Sequence, residues 1–116
     1  MARSPKNNAP ETPKPGQPVR GSRTGRPVMV LLDLLGRRGA LRIIWELRQE
    51  ALTFRALQDA AELTPSTLNT RLKELRDARI VALGEGGYAL TAQGHELRQS
   101  LAALTQWAEV WAGDLH

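Results

Sequence analysis

The 116-residue sequence contains no cysteine, which excludes a disulfide framework, a Cys-ligated zinc site, a thiol nucleophile and a cysteine redox switch. Aromatic residues are scarce: Trp45, Phe54, Tyr88, Trp107 and Trp111 are the whole set. With 41% of residues apolar, any core is therefore built from Leu, Ile, Val and Ala, a balance that suits helices and argues against a large β-sandwich. No apolar run approaches the ~20 residues of a bilayer-spanning helix, and none near the N-terminus reads as a signal peptide. The expectation is one soluble, cytoplasmic domain without a membrane partner. Catalytic constellations are missing too. There is no Ser/His/Asp spacing, His95 has no second His or suitably spaced carboxylates, and Gly84, Gly86 and Gly87 lack the Lys-Ser/Thr that would make them a phosphate loop. The sequence reads as a non-enzyme with no catalytic residue, no metal and no cofactor.

The charge is unevenly placed. Residues 1–26 carry Arg3, Lys6, Lys14, Arg20, Arg23 and Arg26 against Glu11, a net of +5, whereas residues 27–116 hold ten basic and eleven acidic groups, a net of −1. Five of the seven prolines lie in that first segment, and before Val19 its only apolar side chains are Met1, Ala2 and Ala9. Such a stretch buries too little to offset its ordering entropy, so residues 1–26 are expected to be a disordered basic arm preceding a domain over 27–116. The arm serves either sequence-independent phosphate binding or solubility alone.

From Val28 the pattern becomes helical. Val28, Val30, Leu31, Leu32, Leu34 and Leu35 form a short buried helix ended by Gly36. A second helix follows over 39–49, with Arg37, Arg38 and Arg42 crowding its N-terminus, where the macrodipole disfavours cations; either they form a solvated face, the commoner case, or an anion lies nearby. Leu52-Thr53-Phe54 is either one strand or a cap for a helix over 55–62. Thr64 before Pro65 is a strong helix start, and Leu68, Leu72 and Leu75 make a narrow apolar stripe opposite Ser66, Asn69, Thr70, Lys73 and Asp77, with Thr67, Arg71 and Arg76 on the flanks. Arg71 either contacts a phosphate or braces Glu74 or Asp77. Two short strands then surround Gly84-Glu85-Gly86-Gly87, a β-hairpin. Thr91 opens a last helix in which Leu97, Leu101, Leu104, Ala108, Trp111 and Leu115 keep a heptad rhythm widened by Ala103, Trp107 and Val110.

Two helices across a tight turn, the second with a small polar outer face, followed by a hairpin, is the order of a winged helix-turn-helix. The expected fold is mainly α with a small β-hairpin wing. The recognition helix is assigned to residues 65–78, with Ser66, Thr67, Asn69, Thr70, Arg71 and Lys73, together with Arg37 and Arg38, as candidate contacts to double-stranded DNA. Leu97, Leu101, Leu104, Trp107, Ala108 and Trp111 are the candidate homodimer interface. A nucleoid-associated location would follow. The competing reading is a winged helix for protein–protein assembly, suggested by the −1 charge of residues 27–116.

The order of these pieces resembles the HxlR-type winged-helix regulators of bacteria, relatives in architecture of the MarR group. The resemblance covers roughly Leu31 to Trp111. It rests on Gly36-Arg37-Arg38-Gly39-Ala40-Leu41, Thr53-Phe54-Arg55-Ala56-Leu57, Thr64-Pro65-Ser66-Thr67-Leu68 with Arg71-Leu72-Lys73-Glu74-Leu75, and Tyr88 through Leu97, with Leu104 and Trp107 matching the family's C-terminal dimer helix. It implies a homodimeric transcriptional regulator with one recognition helix per protomer in the major groove and wings along the backbone; operator, target genes, direction of regulation and any small-molecule effector stay open. The sequence departs from the family in a short wing bearing Glu85 and no Lys or Arg, in Arg37 and Arg38 where a lysine–tryptophan pair is common, and in lacking the N-terminal cysteine through which several members sense oxidants.

Overall fold

Proline at the first turn sets two of the helices. Pro27 opens α1 (Pro27–Leu35), where its missing N–H removes no intrahelical bond, and Gly36 closes it through its N–H to the Leu32 carbonyl. The computed structural model describes residues 12–116. After α1 come α2 (Ala40–Glu46), α3 (Phe54–Ala61), α4 (Pro65–Asp77), the antiparallel strands β1 (Val81–Gly84) and β2 (Gly87–Leu90), and α5 (Ala92–Asp114). Side-chain caps start three helices: Thr53 Oγ1 accepts from Ala56 N, Thr64 Oγ1 from Thr67 N, and Thr91 Oγ1 from Gly94 N. Leu52-Thr53 proves to be both things its sequence allowed, because Leu52 exchanges two backbone hydrogen bonds with Tyr88 beside β2 while Thr53 caps α3.

Leucine and isoleucine fill the core, as the shortage of aromatics requires. Ile43 and Ile44 from α2, Leu47 at its C-cap, Leu57 from α3 and Leu68, Leu72 and Leu75 from α4 are all buried, with Leu34, Leu35, Ile80, Val81 and Leu90 around them. Only three residues, Glu62, Leu63 and Thr64, join α3 to α4, and Glu62 takes the left-handed conformation (φ 57°) that ends α3. The hairpin pairs Val81 with Leu90 and Gly84 with Gly87, leaving Glu85-Gly86 as its turn. Gly87 is required there, since at φ 114° a side chain would be strained and its Cβ would run into the Leu52 carbonyl. Gly94 lets the first turn of α5 sit on the Ile80 carbonyl for the same reason of space.

Residues 1–11 of the expected disordered arm lie outside the described residues. Residues 12–26 differ from that expectation and run as a set of turns against α1 and α4. Their backbone groups pair with one another, Gly16 N with Gly25 O at 2.9 Å and Val19 with Ser22 in both directions at 2.9 Å, and Thr12 is buried. Polar pairing replaces the apolar burial that this segment lacks, and its prolines reduce the entropy lost on ordering.

Candidate nucleic-acid interface

α4 presents two chemically different faces. Leu68, Leu72 and Leu75 point into the core, while Ser66, Asn69, Lys73 and Arg76 are exposed and Thr67 and Thr70 are half-buried along the outer side. Hydroxyl and amide groups at one-turn intervals can meet base edges or phosphates, and the helix start at Thr64-Pro65 is itself exposed. The structure therefore brings Ser66, Thr67, Asn69, Thr70 and Lys73 onto one helix surface. Lys73 is not free there: its Nζ lies 3.0 Å from Asp77 Oδ2.

Arg37 and Arg71, grouped with these residues from the sequence, occupy a different setting. Glu74 is buried, and its two carboxylate oxygens receive Arg37 Nη1 at 2.6 Å and Arg71 Nη1 at 2.9 Å. Arg37 also reaches Asp33 at 3.1 Å, and Arg71 Nε donates to the Arg38 carbonyl at 2.8 Å. These four charged side chains tie α4 to the end of α1 and to the loop before α2. The anion that the arginines near α2 call for is thus internal. Arg42 follows the same rule through Glu46 and the Ala60 carbonyl, whereas the side chain of Arg38 is exposed. The sequence signalled the Arg71–Glu74 pair by its i, i+3 spacing, but Arg37 lies 37 positions from Glu74 and only the fold brings them together.

Asp77, on the last turn of α4, accepts from Lys73 and from Thr12 Oγ1, both at 3.0 Å. The hydrogen bond from Lys73 is the main reason its carboxyl titrates below the ordinary value; desolvation opposes it, and the hydrogen bond from Thr12 adds to the lowering. The wing that follows offers Glu85 as its charged residue, so this hairpin adds no cation to the surface.

The C-terminal helix divides along its length. Leu97 and Leu101 are half-buried against the protomer's own core, while Leu104, Trp107, Val110, Trp111 and Leu115 are each at least half exposed and Ala108 is half-buried. Trp107 and Trp111 stack on each other with centroids 5.7 Å apart. Val28 and Leu32 on α1 are exposed as well.

Residues 34–115 match the model of the HxlR-like helix-turn-helix family. The chain belongs to that family. It is accordingly a DNA-binding transcriptional regulator with a winged helix-turn-helix fold. A protein of Methanocaldococcus jannaschii described as an uncharacterized HTH-type transcriptional regulator, MJ0925, is 24% identical over 88 residues, which span 72% of this chain and 83% of that one. The crystal structure of quinone-bound YodB from B. subtilis superposes with a TM-score of 0.67 at 28% identity, covering 71% of this chain and 94% of that one. Among the described residues of this HxlR-like regulator, no helix is long and apolar enough to cross a membrane.

Proposed function

We propose that the chain acts as a homodimer that binds double-stranded DNA sequence-specifically, with α4 in the major groove. One observation carries this reading: the outer face of α4 sets Ser66, Asn69 and Thr70 on a helix whose position is held by the Glu74 cluster. Base reading requires such a fixed frame, because a side chain discriminates between bases only when its backbone is placed reproducibly against the groove. Within this proposal Arg37 and Arg71 position the helix, Arg38 remains a candidate phosphate contact, and Ser66, Thr67, Asn69, Thr70 and Lys73 face the DNA. The exposed stripe from Leu104 to Trp111 supports dimerisation through α5, where a second copy would cover both tryptophans.

Enrichment of bound duplexes from a random-sequence library tests the proposal. A recurrent pseudo-palindromic motif, bound with an affinity that falls as salt rises, is the expected result. The acidic wing favours one other reading, a winged helix that assembles with protein, and enrichment of no motif together with salt-insensitive association would support that instead.

A further inference from the structure

Residues 12–26 contain four cations, Lys14, Arg20, Arg23 and Arg26, and no acidic residue, whereas residues 27–116 carry ten basic and eleven acidic groups. The body of the regulator therefore has no net positive charge with which to hold a polyanion. This basic segment is fixed at both ends. Thr12, only 7% exposed, donates to Asp77 on α4, and Pro13 and Pro15 line a groove with Val30 and Leu31 of α1. At the other end Ser22 Oγ accepts the N–H of Arg26, the residue before α1. Between these anchors the Val19–Ser22 pairing makes a tight reverse turn with Arg20 and Gly21 at its tip.

The tip stands beside the recognition helix, where Arg20 and Gly21 share one surface groove with Thr70, Arg37 and Arg71. In that groove Arg37 and Arg71 are matched by Asp33 and Glu74. Arg20 is exposed and forms no ion pair among the described residues. We infer that residues 12–26 are a docked strap that adds a second DNA-contacting element, in which Arg20 takes a backbone phosphate next to the bases addressed from the Thr70 face. The inference rests on the DNA-binding reading of α4 and extends it. A phosphate contact needs a cation that is not already neutralised and whose backbone is held in place, and the strap supplies both beside the Thr70 face, where the neighbouring Arg71 is engaged by Glu74.

Salt titrations of the full chain on a duplex enriched from the random library test this. Arg20→Ala should reduce the slope of log affinity against log salt by about 1 per protomer while the preferred sequence is retained. Arg48→Ala, which removes the same charge from a side chain stacked on Trp45, should leave the slope unchanged. Thr12→Val keeps every charge but releases the anchor. It should weaken binding several-fold and speed tryptic cleavage after Arg20 and Arg23, with the helical circular dichroism of the domain unaltered. A slope for Arg20→Ala equal to that of the unaltered chain, or of Arg48→Ala, overturns the strap alone. Absence of salt-dependent duplex binding by the unaltered chain overturns the DNA reading and the strap with it.

Discussion

Arg37 Nη1 lies 2.6 Å from Glu74 Oε2, joining the segment after α1 to the C-terminal half of α4. Glu74 is one of two buried polar residues, with Thr12, among the described residues, and its other oxygen is occupied by Arg71. A carboxylate taken out of water is tolerated only when its lone pairs are filled, so two arginines converge on it and the second nitrogen of Arg37 turns to Asp33. The arrangement makes α4 a fixed part of the protomer and engages Arg37 and Arg71 in internal ion pairs.

Removing Glu74 should leave two cations facing each other without their shared anion. Glu74→Ala is expected to cost about 3 kcal/mol, toward the low end for a broken buried pair because Arg37 and Arg71 keep some access to solvent. Urea denaturation gives the number, and a loss under ~0.5 kcal/mol, the range of an ordinary surface change, would contradict the bracing role. Arg37→Ala should weaken specific DNA binding mainly through helix placement, leaving the salt slope close to that of the parent.

Asn69 and Thr70 test base reading directly. On the enriched site, Asn69→Ala or Thr70→Ala should lose about 1–3 kcal/mol of binding free energy, with little change on random duplex. Equal losses on both DNAs in an anisotropy assay would assign these side chains to the backbone instead.

Leu104 lies in the exposed stripe of α5, one turn before Trp107 and Ala108. If a second copy covers the stripe, Leu104→Glu should convert a dimer to a monomer in sedimentation equilibrium and abolish binding to paired half-sites about 10 base pairs apart. Trp107→Ala should weaken the dimer by about 2 kcal/mol or more, as buried aromatic anchors do. A parent chain that sediments as a monomer at micromolar concentration would remove the dimer and the palindrome together.

Asp77 provides a pH test. Its carboxyl titrates below the ordinary 3.8, chiefly because Lys73 donates to it and secondarily because Thr12 does. A depressed carboxylate contributes stability that is present above its unfolded value and is lost as pH falls through the folded one. Anchoring of the strap should thus be constant near neutrality and weaken only in acid, below about pH 4. NMR titration of the Asp77 side chain should show a smaller depression in Lys73→Ala than in the parent, and a lesser change in the same direction in Thr12→Val. An Asp77 that titrates identically in all three proteins would mean that neither contact persists in solution.

Much of the fold was legible in local chemistry. Threonine caps, Pro65 at a helix start, the 4, 3 rhythm of leucines and the glycine-flanked turn are each decided within a few residues, because capping, proline geometry and amphipathic spacing act over one or two helical turns. The order of those pieces was enough for the winged helix-turn-helix and its family. What sequence could not express is which side chains meet across the chain. Its composition made residues 12–26 look unable to fold, since their ordering depends on Thr12 finding Asp77, 65 positions away, and on backbone pairs internal to the segment. Arg37 looked like a free cation, and Arg71 stood open between a phosphate and Glu74, because a count of charges treats Glu74 as solvated, whereas packing of α4 against α1 buries it and brings both arginines to it as partners. Local structure follows from short-range sterics and hydrogen bonding written in neighbouring residues; the division of the basic residues between bracing and exposed surface was decided only when the helices packed and water was excluded between them.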